Sequence, residues 1–99
     1  MQVVITREAE GDLAAILNYL SQDSTTHAAR TVERLERTSL ALADGALRYA
    51  LVVGHEDSGV RRRVVGSYNI YYRIMKDSVE VLHFLHGARD HEKILFPED

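Results

Sequence analysis

The chain has 99 residues, 45% apolar and 27% charged, with six glycines, one proline and no cysteine, which is the composition of a single globular domain with its own core. It excludes wholesale disorder, a disulfide scaffold, thiol catalysis and cysteine-ligated zinc. A net charge of −3 argues against a general nucleic-acid coat, no apolar run is long enough to span a bilayer, and Met1–Arg7 lacks the pattern of a signal peptide, so the expectation is a cytoplasmic protein with no membrane attachment.

Val3-Val4-Ile5 reads as a short first strand. Thr6 is placed to cap the helix that follows, and Glu8, Glu10 and Asp12 suit its positive end. Ala9, Leu13, Ile16, Leu17 and Leu20 fall on one helical stripe, with Leu13 and Ile16 expected in the core. Ser21 to Thr25 breaks the period. A second helix is expected from about His27, with Ala28, Val32, Leu35 and Leu42 on one face. Asp44-Gly45 should end it through a left-handed glycine.

The second half changes period from helical to alternating. Tyr49 to Val53 is expected to be a strand, Gly54 to Gly59 a loop, and Val60 to Val65 the next strand. In Tyr68 to Met75, Tyr68, Ile70, Tyr72 and Ile74 share one face, while Asn69, Tyr71 and Arg73 share the other. In the last strand Val79, Val81, His83 and Leu85 alternate against Glu80, Leu82, Phe84 and His86. The expected fold is α+β: an N-terminal strand, an α-hairpin, then an antiparallel sheet of three or four strands. The helices form one layer on one sheet face, and the other face is left to solvent or a partner.

Charge is unevenly placed. Residues 1–45 carry four arginines against seven acids, residues 59–76 carry five bases and no acid, and residues 90–99 carry one lysine against four acids. A basic stripe of this kind suits a phosphate backbone or an acidic protein segment. Arg61 and Arg63 share a side and Arg62 lies opposite. Tyr71, on the face of Asn69 and Arg73, is the aromatic best placed to touch a partner. Ile94-Leu95-Phe96 is the strongly apolar cluster after the last strand, and can serve as an anchor or fold back on the core. His83 and His86 point to opposite faces, so they cannot share one metal ion. No metal or cofactor is expected.

Three segments together resemble one family. Ala9-x-x-Asp12-Leu13-x-x-Ile16-x-x-Tyr19-Leu20 resembles the first helix of the RelE/ParE superfamily of bacterial toxins. Gly66-Ser67-Tyr68-Asn69-Ile70-Tyr71-Tyr72-Arg73-Ile74 resembles its central strand. Val79-x-Val81-Leu82-x-Phe84-Leu85-His86-Gly87-x-Arg89-Asp90 resembles its last strand and exit, with the His-Gly-x-Arg-Asp ending of the ParE branch. The likeness runs from Val3 to Leu95. It implies a compact toxin neutralised by a small antitoxin encoded beside it. In the ParE branch the implied target is DNA gyrase, and in the RelE branch it is mRNA in the ribosomal A site.

The two branches need different chemistry. RNA cleavage requires cations on the phosphate and a group that moves protons. Where the resemblance puts an arginine and a tyrosine in the ribonucleases, this chain has Asn69 and Leu95. Arg63 and Arg89 remain as phosphate contacts, and His83, His86 and His91 as proton carriers. The reading that follows is a ParE-like toxin that acts by binding gyrase and is held by a ParD-like antitoxin in a hetero-oligomer, with no nucleic-acid specificity of its own. A RelE-like ribosome-dependent mRNA endonuclease is the alternative. The residues expected to touch target or antitoxin are Arg61, Arg63, Tyr71 and Arg73 on the strands, Arg89 and Asp90 at the sheet exit, and Ile94, Leu95 and Phe96 in the tail.

Overall fold

In a computed structural model describing residues 1–98, strand β1 (Gln2–Ile5) runs directly into helix α1 (Arg7–Ser21) through Thr6. The Thr6 hydroxyl accepts the Ala9 N–H at 3.2 Å and donates to the Val81 carbonyl at 2.8 Å. One side chain thus caps the helix and pins its start to the last strand. Helix α2 (Thr25–Leu40) begins two residues before the expected His27, because the Ser24 hydroxyl takes the His27 N–H at 3.1 Å and makes Ser24 the cap. Single 3-10 turns, Ala41–Ala43 and Ala46–Arg48, follow, with Gly45 between them at φ +99°, the left-handed glycine expected there.

The segment Tyr49 to Val53 does not become a full strand. Leu51 makes one bridge to Arg61, flanked by bonds from Val52 N–H to Val60 and from Arg62 N–H to Ala50. It lies as a short cover on the edge of strand β2 (Val60–Val65). Strands β3 (Tyr68–Ile74) and β4 (Ser78–His86) complete a sheet of order β1-β4-β3-β2. Strands β2, β3 and β4 form the expected antiparallel meander, but β1 pairs with β4 in parallel, from Gln2 opposite Ser78 to Ile5 opposite Val81. The sheet is therefore mixed.

A bulge changes which side chains β4 sends to each face. Tyr71 pairs with His83 and Tyr72 with Val81, so Leu82 is the extra residue. Val79 and Val81 face the helices before the bulge, and Phe84 does so after it. A strict period of two would have placed His83 and Leu85 there instead. The principal core lies between helices and sheet, built on Ala9, Leu13, Leu35, Leu42, Ile70, Tyr72, Val79, Val81 and Phe84. Tyr72 donates its hydroxyl to the Ala46 carbonyl, and burial pushes its phenol up to about 12, so it remains a neutral donor.

The opposite face is not open. Val52, Val60, Tyr71 and Leu85 form a second cluster, covered by Leu82, Ile94, Leu95 and Phe96. The cover is carried by a short helix α3 (His91–Leu95) that doubles back after β4. Among the described residues no helix is long and apolar enough to cross a membrane.

Candidate functional site

Where β1 turns away into α1, the edge of β4 loses its strand partner and needs other acceptors for its amides. Asp12, on the first turns of α1, supplies one. Its Oδ2 accepts the Phe84 N–H at 2.9 Å and lies 2.8 Å from His83 Nδ1. These bonds tie α1 to β4, and beside them a groove of about 480 Å³ opens, lined by Ala15, Ile16 and Phe84. Its walls are Tyr19, Tyr68 and His86, with Arg89 at the rim. Tyr68 meets His86 edge-on, with centroids 5.4 Å apart. Burial, reinforced by the neighbouring Tyr19, raises the Tyr68 phenol above its ordinary value. Tyr19 is 71% exposed and adds a large aromatic surface at the lip of the groove. The groove is mainly apolar with a few polar groups on its lip, the form that suits an amphipathic protein segment better than a small charged ligand.

Asp12 gives a direct test of this construction. Asp12→Ala removes the acceptor of a partly buried strand amide and should cost about 1–3 kcal/mol of stability in urea unfolding. Asp12→Asn keeps the acceptor and should cost less. Equal losses in the two variants would mean that the carboxylate charge beside His83 matters more than the strand amide.

The expected contact residues do not form one surface. Arg61 and Arg63 turn to the helix side of the edge strand and hold Tyr49. Arg61 Nη1 donates to the Tyr49 carbonyl at 2.6 Å, and the Arg63 guanidinium sits 4.7 Å from the centre of its ring. Arg62 points the other way and is exposed. Arg73 is on the second face, paired with Glu80 at 3.0 Å, so its charge is largely compensated. The basic stripe of the sequence is divided between two faces. Tyr71 is 0% exposed, under the C-terminal segment, and its hydroxyl takes an N–H from Asn69 at 3.3 Å. It is a core residue of the second cluster, not a free contact. Ile94, Leu95 and Phe96 fold back as half-buried cover over that same cluster, while Arg89 and Asp90 remain exposed at the sheet exit.

The sequence gives no contact role to Ile16, Tyr19, Tyr68 or Phe84, which frame the groove, and offers His86 only as a proton carrier. The signal within reach was Tyr19, whose place at the edge of the α1 stripe leaves it outside the core. The Asp12–His83 pair joins positions 71 residues apart and had no local signature. Among the described residues no group of three or more His, Asp or Glu side chains is placed to hold a metal ion.

The family model for the ParE toxin of the type II toxin–antitoxin system parDE matches residues 3–91. Among solved structures, a chain of the chromosomal ParDE toxin–antitoxin system from P. aeruginosa superposes with a TM-score of 0.74 at 21% identity, over 87% of this chain and 95% of that one. A chain of a RelBE toxin–antitoxin complex from Mycobacterium tuberculosis superposes with a TM-score of 0.66 at 22% identity, over 86% and 95%. At these identities the superpositions bear on the fold. No curated protein matches the chain significantly in sequence.

Proposed function

Since the chain belongs to the family of ParE toxins of type II toxin–antitoxin systems, we propose that it acts in the cytoplasm by binding DNA gyrase and trapping it in a DNA-damaging state, and that a ParD-like antitoxin neutralises it. The observation that carries the choice of target is the filling of the second sheet face. Asn69 and Leu95 stand where ribonucleases of the superfamily would carry an arginine and a tyrosine. Asn69 is buried and committed to the Tyr71 hydroxyl, and Leu95 packs into the apolar cover. Losing a charged stabiliser and a proton carrier would each cost on the order of 10²–10³ in rate. A toxin that works by binding needs neither. The mRNA endonuclease alternative draws support from His83, whose ring is fixed by Asp12 and which lines the same shallow cavity as Arg73.

For the antitoxin, the reading is an amphipathic segment lying across α1 and α2 with apolar side chains in the groove of Ile16, Tyr19 and Tyr68. Acidic residues of that segment would meet Arg89 at the rim, so that charge speeds encounter more than it adds affinity.

Inducing the chain alone should stop DNA replication before translation, with double-strand breaks and filamentation. Purified chain should raise the yield of gyrase-linked cleaved DNA. Translation arrest with codon-specific cleavage of ribosome-bound mRNA, and no effect on gyrase, would overturn the proposal in favour of the ribonuclease.

A further inference from the structure

The cations of residues 59–76 are divided between two sheet faces, and only some of them are matched by an acid. On the second face Arg73 is paired with Glu80 at 3.0 Å. On the helix side Arg61 and Arg63 have no such partner. They stand two residues apart on β2, so their side chains leave the strand about 7 Å from one another. Helix α2 adds a third cation from the same side. Arg34 Nη1 reaches to 3.6 Å from where a Cβ on Gly66 would stand, at the turn that ends β2. Along the helix side of this edge strand the order is therefore Arg61, Arg63, Arg34, a row roughly 15 Å long.

The row is not neutralised from within. Among the described residues no acid lies within 4.0 Å of these three guanidiniums. Glu33, beside Arg34 in sequence, is taken by Arg37 at 3.2 Å, and Glu36 projects from another side of α2. The two strand arginines are also held in place. Arg61 donates from Nη1 to the Tyr49 carbonyl, and Arg63 lies over the Tyr49 ring, so both are half-buried with the outer N–H groups of their forks free. Burial pushes the Tyr72 phenol up, and Arg61 and, more weakly, Arg63 are close enough to oppose that push. Three uncompensated cations along one edge repel one another, and an anion spanning them would relieve the repulsion.

We propose that this row docks the phosphate backbone of duplex DNA, without reading its sequence. Planar guanidiniums take phosphate oxygens two at a time. The row is long enough to meet several successive phosphates of one strand, which follow at about 3.4 Å of rise. A single strand would need rings on which its bases could stack. Tyr49 is the aromatic of the row, and it is covered by Arg63 and packed on the principal core. An acidic protein segment would find charge here without apolar burial, since none of the three arginines lines the groove of Ile16, Tyr19 and Tyr68. The inference stands whichever target the toxin has.

The test is fluorescence anisotropy of a labelled duplex of about 24 base pairs, titrated with the purified full chain between 50 and 200 mM salt. Three phosphate contacts predict a slope of about −2.7 for the logarithm of the association constant against that of salt, a loss of roughly 40-fold across this range. Arg34→Gln, Arg61→Gln and Arg63→Gln should each bring the slope about 0.9 closer to zero, alike for duplexes of unrelated sequence. Arg62→Gln, on the opposite face of the same strand, should leave the slope where it is. Arg34 is exposed and belongs to neither apolar cluster, so its variant decides the matter if circular dichroism shows a strand variant to be unfolded. Three results would each overturn the proposal: no duplex binding at 50 mM salt, an effect of Arg62→Gln equal to that of Arg34→Gln, or tighter binding of single-stranded DNA or of a poly-glutamate peptide than of the duplex.

Discussion

Leu13→Ala should lower the unfolding free energy by about 2–5 kcal/mol, whereas Ile16→Ala, one turn further along the same stripe, should cost about 1–2 kcal/mol and weaken antitoxin binding instead. The sequence places both residues in the core, but the structure separates them. Leu13 is 8% exposed among Leu35, Val81 and Phe84, and truncating it leaves a cavity that neighbours on two rigid layers cannot collapse to fill. Ile16 is only half-buried and forms part of the groove floor. A loss of several kcal/mol is a large share of the stability of a domain this size, so the Leu13 variant should also lose toxicity through unfolding. Urea titration and antitoxin binding by calorimetry check the pair. A stable Leu13→Ala, or an Ile16→Ala variant that binds antitoxin at full strength, would mean that the α1 face is misread.

Ending the chain after Arg89 should produce a protein that folds, still binds its antitoxin and is harmless. The principal core and the groove lie outside the removed segment, while Ile94, Leu95 and Phe96 are the half-buried cover of Tyr71 and Leu85. Removing half the burial of three such side chains should cost about 2–4 kcal/mol. Thermal unfolding measures that loss, and antitoxin binding shows whether the body is intact. Toxicity is then read on cells expressing the shortened chain. Full toxicity without the segment would move target contact to the helices, and a chain that fails to bind antitoxin would show that the second cluster is essential to the fold.

The helical half was legible because its signals are local. Thr6 as a cap, Ala9 and Leu13 as core, and Gly45 as the left-handed stop are each decided by a few neighbouring residues. The faces of β3 were legible from period alone. Three features were not. The parallel pairing of β1 depends on Ser78 to Val81, with 72 residues intervening between the two strands, and four residues of Gln-Val-Val-Ile carry no mark of direction. The Leu82 bulge is set by the β3 register rather than by any turn residue, so alternation misplaced Phe84 and Leu85. The burial of Tyr71 depends on a five-residue helix too short to show a periodicity, which turned an expected contact into a core residue. The groove escaped for a related reason. Its residues come from α1, β3, β4 and the sheet exit, and acquire a common role only when those ends meet.

The parallel seam between β1 and β4 also fixes when the molecule can exist at all during synthesis. The first strand has no neighbour until Ser78 to Val81 are made, and the two helices formed meanwhile have only an incomplete sheet to cover. Closing so long a loop is entropically expensive and slow compared with forming a helix. A chain interrupted before residue 78 therefore holds two amphipathic helices and an incomplete sheet, without the strand that joins its first strand to the rest. Synthesis through Val81 is a condition of shape here, and the sheet cannot close before β4 has been made.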